Sequence, residues 1–342
     1  MSALLEERPP APKTTAARPG ARGPLWLVLR QHRTTLLIGG GAILAGVLVL
    51  VASKIWAGGV VDDFAATGCR VWNIDRPECF QTFRDYSDDT HGFDRVLTYG
   101  SYVLQFLPGV IAAFVAGPMV ARELESGTYK LAWTQSVSPA RWLASKLLAL
   151  ALPVLVLVAL LTAVRAWAAT GVPDDSPYPA SQWYEPTTYL SLGTAPVAYA
   201  LLGIAAGALV GLLVGRTLPA MSVALLALGG VFLAMKQVRD RLWPIKTATS
   251  PGDDIPSEDG TNWWLDEGLV MANGDRVPDD RCNSSFEDQL GCLADRGATG
   301  RYVEYHPGSH FWPIQLVETG IVLALGAVCL LAAFKVLRRR HG

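Results

Sequence analysis

Six stretches of this chain are apolar for long enough to cross a bilayer, and that constraint comes before every other. A helix rises about 1.5 Å per residue, so roughly 20 mainly apolar residues span a hydrocarbon core of about 30 Å. The stretches lie at about 34–56, 98–120, 146–169, 194–215, 217–236 and 311–336. Hydrocarbon offers no partner to a backbone N–H or C=O, so each must be helical. The expected fold is an all-α polytopic membrane protein. Its fourth and fifth spans, separated by little more than Arg216, form a tight hairpin. Composition agrees: 51% of residues are hydrophobic and 17% charged, too apolar for an ordinary soluble domain.

Six spans return both termini to one side. That side holds 1–33, 121–145, Arg216 and 337–342. With Lys146 and Lys335 these carry 15 of the 29 Lys and Arg but only four acids: Glu6, Glu7, Glu123 and Glu125. The opposite loops carry 25 of the 30 acids. Lys and Arg accumulate on the cytoplasmic face, so both termini are expected there. Residues 1–22 lack the apolar core of a secretory signal and read as a disordered cytoplasmic tail. "GPLWLVLRQHR", 23–33, reads either as an interfacial helix on the inner face or as an extension of the first span. Arginine exceeds lysine 22 to 7, which points to a GC-rich bacterial genome and hence to a multi-pass protein of a bacterial plasma (cytoplasmic) membrane.

Three outer loops are expected, at 57–97, 170–193 and 237–310, the last the largest. Cys69 and Cys79 lie in the first, Cys282 and Cys292 in the third, both pairs spaced C-x9-C. An oxidising exterior favours disulfides, and the two within-loop pairs are the preferred connectivity among three. Zinc sites use shorter Cys spacings, which are absent. Trp263 and Trp264, in mid-loop, are placed back at the membrane surface.

The fourth span carries Gly203, Gly207, Gly211 and Gly215, three successive G-x3-G steps that make one smooth stripe for close helix packing. The pattern does not say whether the partner is in the same chain or a second copy. A lesser cluster, Gly39, Gly40, Gly41 and Gly46, lies in the first span. Arg165, near Trp167, is expected to snorkel to the interface. In the last span Gln315, Glu318 and Thr319 share one face, either lining a polar cavity or binding a neighbouring helix. His306 and His310 are four apart, but Pro307 and Gly308 argue against the helix that would align them on a metal. No Gly-Lys pair occurs, so there is no phosphate loop of the G-x4-G-K-[ST] type. H-E-x-x-H and G-x-S-x-G are also absent. No metal site and no catalytic residue are assigned.

One polar stretch interrupts the apolar pattern on the inner side: "ARELESGTYK", 121–130. The second span reads as continuing through Glu125, with Gly127 a left-handed cap. Thr128 caps a short helix, 129–134. Ser138 and Pro139 then start the third span as N-cap and first helical residue.

The stretch E-x-E-x-G-T, formed by Glu123, Glu125, Gly127 and Thr128 and followed by "SPARWLASK", resembles the inner loop of the permease subunits of type-2 ATP-binding-cassette (ABC) transporters. The six spans and the large loop between the fifth and sixth are similar to that family. The last span, "FWPIQLVETG…LRRR", looks like actinobacterial members. The resemblance implies that 23–342 is a permease domain and that 121–138 is a coupling loop docked on a separate ABC ATPase subunit. Glu123, Glu125, Gly127, Thr128, Tyr129 and Lys130 are the residues that resemblance singles out. It further implies a dimer with a second copy or a paralogous permease, and efflux of an apolar or amphipathic compound: a drug, an antibiotic or a lipid. Position in the family places Tyr102, Gln105 and Phe106 on the pathway, with Met221 and Leu225 opposite. ATP and magnesium belong to the partner. This chain is expected to hold no cofactor, to bind no nucleic acid and to be no enzyme. The alternative function is a membrane sensor or assembly scaffold.

Overall fold

The fourth span is the axis of the structure, and the other helices are arranged by how closely they approach it. The computed structural model describes residues 33–71, 77–134, 138–170, 182–251, 261–278 and 297–341. Six helical units are long and apolar enough to cross a membrane, judged by length and composition. They are α1 (Arg33–Ala66); α2 (Pro77–Val110), continued by a π-helical turn (Ile111–Ala116) and α3 (Gly117–Ser126); α5 (Pro139–Ala169); α7 (Ala195–Val214); α8 (Thr217–Val238); and α9 (Phe311–His341). Two short helices, α4 (Tyr129–Thr134) and α6 (Pro186–Tyr189), lie in connections. In α7 72% of the apolar window is buried, against α2, α3, α5, α8 and α9. In α1 only 6% is buried, against α2 and α5, so this span sits at the rim.

The glycine stripe explains the centre. A Cβ on Gly203, Gly207 or Gly211 would lie 2.6, 2.7 or 2.8 Å from the carbonyl oxygens of Pro108, Ala112 and Gly117. Those contacts admit only hydrogen at these positions. The partner is therefore the second span of the same chain. Gly117 in turn lies against the Gly207 and Ala220 carbonyls. Gly215 does something else: its φ of 64° makes it the left-handed cap of α7, in open space. The second span bends to this fit. Pro108 lacks the N–H that a helix interior needs, and the π turn follows within three residues. The first-span glycines behave differently. Gly39 and Gly40 border an apolar cavity of about 810 Å³ between α1, α2 and α5, and no side chain or backbone fills the place of their Cβ atoms.

Two expectations about the outer loops are corrected. Most of 57–97 is helix, because α1 runs on to Ala66 and α2 begins at Pro77. Cys69 and Cys79 are disulfide-bonded across the turn, and Phe64 stacks on Tyr86 with ring centroids 4.1 Å apart. Cys282 and Cys292, the tail 1–22 and nearly all of the proposed interfacial helix 23–33 lie outside the described residues. The all-α expectation fails in 237–310. There, β1 (Lys246–Pro251), β2 (Trp263–Met271), β3 (Arg276–Pro278) and β4 (Ala298–His306) form an antiparallel sheet in the order β1-β4-β2-β3. A β-strand can alternate its burial over only a few residues, and masked by charges and turns that short period is hard to read.

The bundle thus has an elbow end, holding 121–138 and the Gly215–Arg216 turn, and a sheet end. The glycine contacts make a paired prediction. Gly207→Val should abolish monodisperse, detergent-extracted protein, whereas Gly40→Val should leave yield and melting temperature near wild type.

Candidate functional site

The elbow is built by local rules. Gly127, at φ 74°, ends α3, and its N–H reaches the Leu124 carbonyl at 3.3 Å. A side chain at that φ is disfavoured, which is why glycine stands there. After α4, Ser138 is extended and its hydroxyl accepts from the Arg141 amide at 3.4 Å, with Pro139 first in α5. Thr128 pairs its hydroxyl with that of Ser126 at 3.0 Å.

The two glutamates point to different helices. Residues two apart on an α-helix lie about 200° apart around its axis, so they cannot share a face. Glu123 turns to α5: its Oε1 accepts from Lys146 Nζ at 2.6 Å and its Oε2 from Trp142 Nε1 at 3.1 Å. Lys146 is 2% exposed and Glu123 18%, so this charge pair is part-buried rather than a surface one. Glu125 turns to α8: its Oε2 accepts from the Thr217 amide at 2.9 Å and from the Thr217 hydroxyl at 2.6 Å. Tyr129, Trp133 and Trp142 form an edge-to-face chain, with centroids 4.6 and 6.1 Å apart, that seats α4 on the base of α5. Among the described residues of the elbow, Arg122, Glu125, Ser126, Thr128, Lys130 and Ser138 are exposed.

The five pathway candidates are on adjoining helices. Tyr102 and Phe106 are exposed and stack with centroids 6.4 Å apart. Leu225 is exposed on α8 and its Cδ1 lies 3.2 Å from where a Cβ of Gly109 would stand. Met221 is half-buried, as is Gln105, whose buried Oε1 has no hydrogen-bond partner among the described residues. None of the five lines the cavity between α1, α2 and α5.

At the sheet end Glu318 is fully buried and chelated. Arg239 Nε lies 2.9 Å from its Oε2 and Nη2 3.0 Å from its Oε1, and the Tyr199 hydroxyl donates to Oε1 at 2.8 Å. The Arg239 guanidinium stacks 4.0 Å over the Tyr189 ring. Gln315 accepts from the Ala195 amide and donates to the Tyr189 carbonyl, and Thr319 pairs with Thr194. Gln315 and Glu318 on the polar face of the last span therefore bind α7, its leading turn and Arg239, while Thr319, paired with Thr194, borders a largely apolar cavity of about 670 Å³. The sequence places Arg239 in the third outer loop, since its charge marks the end of an apolar run. It is instead 3% exposed at the end of α8.

Arg165 is also corrected. It does not snorkel but is 2% exposed, donating from Nε to Ser101 Oγ at 3.1 Å, with Ser191 Oγ 3.0 Å from the same oxygen. Ser101 of the second span, bonded to Ser191 just after α6, meets it inside the protein, where the sequence suggested an interface. Trp263 packs edge-on against Trp183 and does not lie free on a membrane, while Trp264 is half-exposed. His306 and His310 do meet, Nδ1 to Nδ1, at 2.9 Å, and His306 Nε2 donates to the Asp240 carbonyl at 2.8 Å. Those nitrogens stand closer than two ligands of a tetrahedral zinc at about 2.0–2.1 Å would. Among the described residues no group of three or more His, Cys, Asp or Glu could hold a metal.

A family model described as "ABC-2 membrane transporter related" matches residues 40–239, more than half of the 342-residue chain. No curated protein and no solved structure matches.

The buried pair at the sheet end can be tested on stability. Removing one partner strands the other charge, at a cost of about 3–5 kcal/mol. Arg239→Met and Glu318→Leu should each lower the thermal midpoint of the purified protein sharply, and the double variant should recover much of the loss. An additive double variant would contradict the pairing.

Proposed function

The chain belongs to the ABC-2 membrane transporter-related family, and from that premise we propose that it is the permease half of an ABC exporter. The family implies association with an ABC ATPase. In this reading ATP and magnesium sit on that partner, whose closure pushes α4 and switches the pathway. A second copy or a paralogous permease completes the dimer.

The observation that carries the reading is the elbow. A six-residue helix on which Lys130 is exposed is seated by Trp133 on the base of α5 and joined by Gly127 to the end of the second span. A partner pressing there acts on α3 and α5 together, because Lys146 and Trp142 hold Glu123. The Cys69–Cys79 disulfide supports an oxidising exterior at the sheet end and hence a cytoplasmic elbow. The basic residues of the elbow side agree. The exposed aromatic and aliphatic groups Tyr102, Phe106 and Leu225 support an apolar or amphipathic substrate crossing a bacterial plasma membrane outwards.

The chain reconstituted with its ATPase in proteoliposomes is expected to hydrolyse ATP faster in the presence of some members of a panel of lipophilic compounds and lipids. Gly127→Pro, which forbids the left-handed cap, and Glu123→Ala, which strands Lys146, should each sever that stimulation or release the ATPase. Normal docking and stimulation in both would sink the reading. Alanine at Tyr102, Gln105, Phe106, Met221 or Leu225 should reorder the preferred compounds while the complex still assembles. An unchanged order would remove those residues from the pathway.

A further inference from the structure

The reading of the elbow as the coupling element accounts for Glu123 but leaves Glu125 without a role, since its carboxylate is engaged within the chain. We propose that Glu125 is a positioning residue that carries the movement of the elbow to the fifth span. The inference rests on that coupling role.

The geometry is specific. Only two residues, Gly215 and Arg216, separate the end of α7 from the start of α8. Arg216 occupies the cap position in extended conformation and its side chain makes no cap hydrogen bond. The first N–H groups of a helix have no partner within it. Glu125, 92 residues away in sequence, supplies one: a single oxygen, Oε2, takes both the amide and the hydroxyl of Thr217. The positive end of the α8 dipole favours a carboxylate there.

The outer side of that end of α8 is open, while its inner side meets α3 and α7. Gly215 is in open space, and Leu218 and Pro219 are exposed. Ala220, one turn into α8, is buried and its carbonyl faces Gly117 of the second span. On the opposite face of α3, Glu123 is clamped to α5. A push on α4 therefore displaces α3 and α5 as one body, and Glu125 draws the start of α8 with them. The spacing E-x-E places one acid on each side of the helix, so one loop engages both the third and the fifth spans.

A tie and a mere cap predict different results, and Arg216 separates them. Spin labels at Lys130 on α4 and Leu218 on α8, both exposed, report their separation in the reconstituted complex with its ATPase, with and without ATP and vanadate. In the otherwise native chain the two labels should keep one narrow separation in both states. Glu125→Ala should broaden it, and ATP turnover coupled to the permease should fall severalfold. Arg216→Asn added to Glu125→Ala gives α8 its own cap but not the tie. Melting temperature should recover while coupling stays low. Thr217→Val, which keeps the amide and loses the hydroxyl, should fall between. Recovery of coupling in the Glu125→Ala, Arg216→Asn double variant would show that Glu125 only caps a helix, and would overturn the proposal. If Glu123→Ala uncouples while Glu125→Ala does not, this inference fails and the coupling role stands. If neither has any effect, the coupling role itself fails.

Discussion

Everything else in the bundle depends on the contact between the backbone of α7 and the backbone of the second span. In lipid there is no hydrophobic drive to bring two apolar helices together, and small residues that permit close approach take its place. Gly203, Gly207 and Gly211 give up their side chains to the carbonyls of Pro108, Ala112 and Gly117. That seam fixes where the second span runs. The second span in turn fixes where α3 emerges and where the elbow stands. The π turn at 111–116 belongs to the same fit, since a widened turn resets the rotation of α3 and so the faces on which Glu123 and Glu125 lie.

Charge then holds the two ends. At the elbow, Glu123 and Glu125 secure the third and fifth spans, and the aromatic chain from Tyr129 through Trp133 to Trp142 seats the short helix between them. At the sheet end, the chelate of Arg239 by Glu318 joins the end of α8 to α9, with Tyr199 and Tyr189 of the central region closing around it. The fifth span is thus gripped by a carboxylate at each end, one exposed and one fully buried. Exposed hydrogen bonds exchange readily with water, whereas breaking a buried pair strands a charge. The buried pair at the sheet end is therefore the costlier of the two to break.

Much of this was legible in the sequence, and what was not has physical reasons. The six spans, the left-handed glycine at 127 and the Ser138–Pro139 start each follow from rules local to a few residues. Chain length and hydropathy say nothing of where a span ends once its helix leaves the apolar core, so α1 and α2 run beyond their predicted limits as a disulfide-linked hairpin. Arg239 looked like loop because a charge after an apolar run reads as an exit from the membrane. Its partner lies 79 residues on, and no local pattern connects them. The same holds for Glu125 and Thr217. The sheet within 237–310 was missed because its pairing is long-range and its strands are interrupted by charged turns.

The claim on which the rest turns is that α4 presents a docking face to an ATPase. A photoreactive amino acid at position 130, where the exposed Lys130 stands, tests it directly in native membranes, with the same probe at the exposed Leu226 as the membrane-facing control. The account predicts an adduct with an ABC ATPase subunit from position 130 and lipid adducts alone from position 226. Lipid adducts alone from both positions, in membranes that contain the chain at full level, would contradict it.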